Sequence, residues 1–574
     1  MDKKAVAALL EEIAALLEMK GENVFKTLAY AKAARALLAQ PGELDDIVRE
    51  TALKGIKGIG EGIRERIIEL HETGRLAYYD ELRASIPPGI MDMLRIPGLG
   101  PKKAKAIFDA LGVASVGELE YACHENRLVG LPGFGEKTQQ KILENIAFLK
   151  KHAEQYLYPF ALAEAERLVE PLRKSKKVVR VSVAGSLRRR KEVVKDIDIV
   201  ASTEDPAAVA ELFTTLPGVE MVTGKGGTKA SVTLSCGIAS DLRIVTDAEF
   251  PYALHHFTGS KLHNTSMRGR AKKMDLKMNE YGLFRGKAES LVPCKDEEAI
   301  FKALGLAYIP PELREDMGEI DAAGKGELPE LIEEPEIRGT FHVHSRYSDG
   351  RDEVAEIAEA ARKLGWQYVG LTDHSQTAAY AGGLRPDDLK RQQADIDAVN
   401  AKYKDFRIFK GAEVDILPDG TLDYPEKVLS TFDFTVCSIH SKFNMTEAEA
   451  TKRIIRAMED PHFTILGHPT GRLLLSREGY PVDMKKVIEA AAERGVVIEL
   501  NSHPQRLDID WREIKYAKDL GVKIAINPDA HNLEGLKDVR YGVGIARKGW
   551  LEKGDVLNTM TAGEVEKFLR KKRG

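Results

Sequence analysis

VAGSLRRRKEVVKDIDIVAS, residues 183–202, decides how the middle of this chain is read. Its second half alternates Asp196, Ile197, Asp198 and Ile199 within an apolar run. A strand has a side-chain period of two, so both carboxylates lie on one face while the isoleucines enter a core. In the first half, Gly185 and Ser186 precede Arg188, Arg189 and Arg190. A glycine turn followed by cations offers backbone N–H and guanidinium groups to a triphosphate. Downstream, KASVTLSC and SDLRIVT read as a strand pair that presents a third carboxylate, Asp241, at a strand start. Three carboxylates converging on a sheet suit Mg2+ (or Mn2+), with water and substrate phosphate completing the shell. Two such ions would activate a 3′-hydroxyl and stabilise departing pyrophosphate.

The surroundings of this stretch are basic. Residues 171–191 carry nine Lys or Arg and no acid, and 261–277 carry six against Asp275 alone, although the 574-residue chain has a net charge of -4. Two basic stretches in one half of the chain point to a polyanion partner. The chain is too long for one core, so several domains are expected. Its composition, 43% hydrophobic and 30% charged, is that of soluble globular protein, with no apolar run near a membrane span. The opening MDKKAVAALLEEIAALLEMK has acids inside its apolar stretch and reads as an amphipathic helix, not a signal peptide. Four scattered cysteines without a C-x-x-C pair fit a reducing cytoplasm.

The first 150 residues read as helical and contain one unit three times: LKGIKGIGEGIRERIIEL (53–70), LRIPGLGPKKAKAIFDAL (94–111) and LVGLPGFGEKTQQKILEN (128–145). Each reads as a short amphipathic helix, a G-x-G turn and a second helix. The pairs Gly58 and Gly60, Gly98 and Gly100, Gly133 and Gly135 would turn the chain tightly and expose helix N-terminal N–H groups to a DNA phosphate. Such contacts hold a nucleic-acid backbone without reading its bases.

Strands and helices mix from 156 to 315. The segment IPPELREDMGEIDAAGKGELPELIEEPEI, rich in acids, Pro and Gly, reads as an interdomain linker. Strict strand–helix alternation follows through RGTFHVHS, YVGLTDHS, RIFKGAEVD, FTVCSIHS, FTILGHP, VVIELNS and KIAINPDAH. Seven such units predict a parallel sheet closing into a barrel. Eight of the 14 histidines lie after residue 340. His342, His344, His374, His440, His468 and His531 end strands, joined by Asp349, Glu413 and Asp529, where barrel active sites gather. Nine N/O ligands exceed one ion's needs, and three ions of the Zn2+ or Mn2+ type sharing Glu413 account for them better. Clustered ions of this kind suit phosphoester hydrolysis.

G-S-x-R-R, D-x-D and the lone Asp241 before an R-I strand resemble the nucleotidyltransferase palm of family X DNA polymerases of the beta type. HHFTGSKLHNTSMRGRAKKMDLKMNEYGLF (255–284) is similar to the start of their thumb. The resemblance implies that Asp196 and Asp198 bind both metals, while Asp241 binds the catalytic one and takes the primer hydroxyl proton. It further implies that Gly185, Ser186 and Arg189 contact the triphosphate, and that Phe257 and Gly259 lie along the sugar. Asn264 would reach the base's minor-groove edge and Arg268 the template side. His256 stands where the family has a tyrosine, and Val194 and Lys195 replace a small Ser-Gly, so the phosphate contact would be rebuilt around Lys195. Arg66 stands where beta-type enzymes carry the lysine that forms a Schiff base.

The HVHS, TDH, GAE, SIHS, GHP and DAH pattern resembles the PHP (polymerase and histidinol phosphatase) domain. By that resemblance one ion would be held by His342, His344, Glu413 and Asp529, a second by Asp349, His374 and His531, and a third by Glu413, His440 and His468.

The architecture expected is multidomain. An all-α helix–hairpin–helix region comprises 1–82 and 83–152. An α+β nucleotidyltransferase palm (153–251) with its thumb (252–315) follows, then a linker (316–337). A distorted (β/α)7 PHP barrel (338–574) ends the chain. The function expected is gap filling in DNA repair by a cytoplasmic, nucleoid-associated monomer that binds gapped or nicked double-stranded DNA and dNTPs. The C-terminal region would add a 3′-5′ exonuclease or related DNA phosphodiesterase or AP-endonuclease activity; alternatively it would act on a small phosphate ester or serve as a structural module.

Overall fold

The computed structural model describes residues 3–572 apart from 39, 41–43, 52, 95, 97, 151–154 and 287–289. The chain forms two compact units, Met1–Leu149 and Lys150–Gly574. Arg95 and Pro97 of the second repeat lie outside the described residues.

The first unit is helical around a core that includes Leu10, Leu17, Ile67, Leu70, Ile107 and Leu119. The G-x-G pairs behave alike. Gly58, Gly98 and Gly133 have φ of +105°, +81° and +84°, a left-handed conformation that disfavours other residues. Gly60 and Gly100 are extended and begin the helices Glu61–Thr73 and Pro101–Leu111 with no side-chain cap. A Cβ added at Gly60, Gly100 or Gly135 would meet nothing within 4 Å. The backbone at these glycines is therefore uncrowded. In the first and third repeats the residues just before the glycines form turns, where a short helix is expected.

In the second unit, five strands run in the order Arg180–Val183, Asp196–Ser202, Ala239–Val245, Lys229–Leu234 and Val219–Lys225. Only the second and third of these are parallel. Ile197 and Ile199 pack with Leu168 and Phe213 from the helices Tyr158–Lys174 and Pro206–Thr214. A three-stranded antiparallel sheet and the helices Lys261–Lys273 and Glu297–Ala303 follow.

The segment expected as a linker is structured. It contains the helix Glu319–Lys325, and Glu319 is wholly buried. One carboxylate oxygen is 2.6 Å from His263 Nδ1 and accepts from Asp316 N–H, while the other accepts from Met317 N–H. Acid-rich composition reads as solvated chain, but here an acid ties down the turn before its helix and meets a buried histidine.

The seven C-terminal strand segments form two parallel sheets rather than one continuous ladder. The third, RIFKGAEVD, is broken at Gly411 and Ala412: Arg407–Lys410 pairs in one sheet and Glu413–Asp415 in the other. Phe434 accounts for the glycine, because a Cβ on Gly411 would lie 2.5 Å from its ring, and one on Gly370 2.4 Å. Single bridges, Val343 to Ala530 and His374 to Glu413, link the two sheets. Phe341, Phe409, Phe434, Ile465 and Val497 pack together with Val565 and Leu569 of the last helix. No helix among the described residues is long and apolar enough to cross a membrane.

Candidate active sites

Asp198 faces Asp241 across the parallel strand pair, with Asp196 two residues before it. Burial first, then the charges of Asp196 and Asp241, push the Asp198 carboxyl up to about 6. Asp196 is also raised, by burial and by Asp241. Mutual repulsion of this kind is what a bound cation relieves. Asp241 differs: burial pushes it up, but hydrogen bonds from Lys229 and Ser231 outweigh that and hold it low. Lys229 Nζ lies 2.7 Å from one oxygen, and Ser231 Oγ donates to the other at 2.6 Å. The three carboxylates are consequently absent from the tight metal-type clusters among the described residues. Asp241 sits two residues into its strand, Ala239–Val245.

The turn after Ala184 lies against this group. Gly185 has φ of +61°, and a Cβ there would be 2.1 Å from Asp198 Oδ2. Ser186 is half-buried and Lys195 exposed beside Asp196. Arg189 departs from its expected place on a triphosphate: its Nε donates to Glu315 at 3.0 Å and an NH group to the Thr258 carbonyl at 2.7 Å. Asn264 donates to the His256 carbonyl at 2.7 Å. A Cβ on Gly259 would lie 2.5 Å from the other amide atom, Asn264 Oδ1, so the two residues need each other. The Phe257 ring packs at 5.0 Å on His256, with the Arg243 guanidinium 4.8 Å away on it. Arg268 is exposed. In the first unit, Arg66 lies 3.7 Å over the Tyr78 ring and 5.7 Å from Tyr30, held as a cation on aromatic faces.

The C-terminal residues form a second, deeper cluster. His344, Asp349, His374 and His531 offer ligand atoms within 4.8 Å of one another, as do His342, His344 and Asp529, and His374, Glu413 and His440. His468 Nε2 is 2.9 Å from Glu413 Oε1. All nine expected positions are thus brought together, with His344 and His374 each shared between two sets. Burial alone would lower His342, but Asp529, Glu499 and Glu413 outweigh it and raise it well above the usual range. His344, buried and facing His531 and His374, falls to about 3. His342 Nε2, His344 Nδ1 and both His374 nitrogens are buried without hydrogen-bond geometry to any partner. Buried imidazoles and carboxylates converging with several ring nitrogens left unpartnered fit divalent cations. Asp529 has φ of +52°, strain consistent with a constrained site.

Four further residues complete this pocket and are not among the expected ligands. Glu499, wholly buried, is 2.8 Å from His342 Nδ1. Asp415 holds His440 Nδ1 at 2.5 Å. Asn501 and Arg506 both reach Asp529, at 3.2 and 3.4 Å. The available signal was an acid inside the apolar VVIELNS, which a core strand does not tolerate unpaired.

These features belong to a multidomain chain with a helical N-terminal region, a polymerase-type thumb and a PHP-type region. Family models agree: a helix-hairpin-helix domain matches residues 1–76, a SAM-like helix-hairpin-helix tandem 90–147, the DNA polymerase beta thumb 253–315 and the PHP domain 340–503. The chain is 41% identical over 576 residues, covering 100% of both chains, to the DNA polymerase/3'-5' exonuclease PolX of Bacillus subtilis (strain 168). Shorter relatives match the C-terminal region. A probable phosphatase of Thermoanaerobacter sp. (strain X514) is 30% identical over 38% of this chain and 89% of its own. One from Clostridium acetobutylicum is 32% identical over 33% and 78%. The chain belongs to the PolX family, the family X DNA polymerases that carry a PHP domain.

Proposed function

We propose that this protein is a DNA-directed DNA polymerase that fills short gaps during repair and hydrolyses DNA 3′ ends with its C-terminal region. The observation that carries the first half is the Asp196, Asp198 and Asp241 group with the Gly185 turn packed on Asp198. Asp196 and Asp198 would hold paired Mg2+ or Mn2+, and Asp241, turned from Lys229, would join them and receive the primer hydroxyl proton. When bound, such ions activate the 3′-hydroxyl and stabilise the departing pyrophosphate. Ser186, the backbone of Gly185 and exposed Lys195 would take the triphosphate. Phe257, Gly259 and His256 would border the sugar, Asn264 the base edge and Arg268 the template. The open N-termini beside Gly60, Gly100 and Gly135 would take DNA phosphates from a gapped or nicked duplex, with the protein acting as a monomer. The seven C-terminal strand segments would enclose a distorted barrel whose mouth is the second site.

At that site His342, His344, Asp349, His374, Glu413, His440, His468, Asp529 and His531 would hold up to three ions of the Zn2+ or Mn2+ type. Bound there, they would polarise a phosphodiester and supply a hydroxide for its hydrolysis. Glu499 and Asp415 would fix the His342 and His440 rings through their far nitrogens. The name of the full-length Bacillus relative favours a 3′-end nuclease; the names of the shorter relatives favour a phosphatase acting on small esters. Purified protein on a gapped duplex, with and without dNTPs, in Mg2+ and in Mn2+, tests both sites. Extension with dNTPs and 3′ shortening without them are expected. Hydrolysis of histidinol phosphate but not of DNA would select the phosphatase reading.

A further inference from the structure

Away from both carboxylate groups, a lysine side chain is completely buried. Lys548 ends the helix Val539–Lys548 of the PHP region, and its side chain is 0% exposed. Its Nζ donates to Glu315 Oε1 at 2.6 Å, to the Arg189 carbonyl at 3.1 Å and to the Glu312 carbonyl at 3.3 Å. Three acceptors match the three N–H groups of an ammonium. The Trp511 ring covers it at 4.5 Å. A buried lysine charge is tolerated only while such acceptors stay in place, so this contact has little freedom to shift.

One acceptor residue, Arg189, belongs to the stretch that shapes the polymerase site, and the other two hold the arginines of that stretch. Arg189 directly follows the Gly185–Arg188 helix, whose first residue touches Asp198. Each consecutive arginine is pinned. Arg188 donates to Thr258 Oγ1 at 2.6 Å and to Glu297, Arg189 to the Thr258 carbonyl and to Glu315. Arg190, with φ of +54°, lies 3.4 Å from Glu312, which also takes Arg547 of the PHP helix at 2.8 Å. Arg190 also covers Gly544 of that helix, where a Cβ would come within 2.8 Å of its side chain. The PHP helix, the arginine run and the Thr258–Gly259 turn thus form one buried, charge-paired assembly.

We propose that Lys548 is a positioning residue for nucleotide addition: a PHP-region side chain that holds the Gly185–Arg190 turn, and with it the triphosphate site, against Asp198 and the Thr258–Gly259 turn. This rests on the polymerase reading above. It makes the PHP region a structural part of the polymerase site as well as a second enzyme.

Full-length Lys548→Met is the test, with dNTP KM, kcat, affinity for gapped DNA and 3′ hydrolysis measured together. The expected result is a dNTP KM raised about tenfold, a smaller change in kcat, and unchanged DNA affinity and 3′ hydrolysis. A merely structural role would lower both activities in parallel, and that outcome, or an unchanged KM in folded protein, overturns the proposal. Gly544→Ala presses on Arg190 without removing a buried charge, so it tests the same contact even where Lys548→Met does not fold. It should raise KM in the same direction, and unchanged kinetics there also overturn the idea. A wild-type protein without template-directed incorporation defeats the polymerase reading itself, whereas normal incorporation with an indifferent Lys548→Met defeats only this inference.

Discussion

The Asp196, Asp198 and Asp241 group and the PHP group handle negative charge in opposite ways. In the first, Asp196 is exposed, Asp198 is half-buried, and the cations near them are Lys195, Lys229, Arg189 and Arg243; the repulsion that remains is left for a ligand to resolve. In the PHP region, buried Glu413 and Asp529 and half-buried Asp349 lie among six histidines, and two of these, His342 and His440, are fixed by a further residue. Under the proposed function the first is an open surface that nucleotide and DNA would complete, and the second a pocket whose side chains are held before anything binds. Such a difference would suit the chemistry, since an extended duplex and an incoming triphosphate need access, while a single scissile phosphate can be taken into a recess.

The sharpest way to break this comparison is to remove a ligand from each side. His344→Ala should abolish 3′ hydrolysis and spare primer extension, and Asp196→Ala should do the reverse. Each loss should exceed the roughly 100-fold that removing a supporting partner causes. Parallel assays of both activities decide it, and a His344→Ala protein that still shortens DNA normally would show that the nuclease lies elsewhere.

Glu499→Gln tests whether the pocket is prebuilt. Losing the carboxylate that holds His342 should cost about 10–100-fold in hydrolysis or in ion affinity, with extension intact. Titration of metal-stripped protein with Zn2+ or Mn2+ reads this directly, and unaltered affinity would leave Glu499 as packing alone.

The open side depends on DNA held by the hairpins. Gly98→Val with Gly100→Val should weaken binding to gapped DNA about tenfold and flatten its salt dependence. Gly98 carries the conformational strain, at φ +81°, and Gly100 carries the steric block in its empty approach. Equal affinity and equal salt slope in a folded variant would remove the hairpins from the interface.

The smallest effect concerns charge strain at Asp198 in metal-free protein. Asp198 binds its proton more tightly folded than unfolded, so its ionisation costs stability as pH rises through about 6. Asp198→Asn should therefore raise metal-free stability by about 1 kcal/mol at neutral pH. The gain should shrink as pH drops from about 6 and vanish below about 4, where the wild-type carboxyl becomes protonated in both states. Denaturant titrations at pH 5 and 8 compare the two, and a variant less stable at pH 8 would contradict the strain.

Much of both sites was legible before any fold was known. Period two placed Asp196 and Asp198 on one face, and the strand-end histidines converged as their pattern implied. What stayed hidden were partners on distant segments. Lys229 and Ser231 reach Asp241 because the antiparallel neighbour sets Ser231 opposite it, a register no local pattern announces. Arg189 carried the right chemistry for a phosphate, yet Glu315 and the Thr258 carbonyl claimed it.

By itself, then, the sequence determined what depends on neighbours along the chain. That includes left-handed glycines at Gly58, Gly98 and Gly133, alternation through Asp196–Ser202, and the seven strand–helix units. These follow from allowed backbone angles and side-chain period, which a few residues suffice to specify. Only the tertiary structure decided where RIFKGAEVD breaks, that the supposed linker folds through Glu319, and that Lys548 closes on the Arg189 carbonyl. Those outcomes turn on which buried ring, charge or carbonyl lies across the contact, and close packing with paired burial of charge settles them among residues tens to hundreds of positions apart.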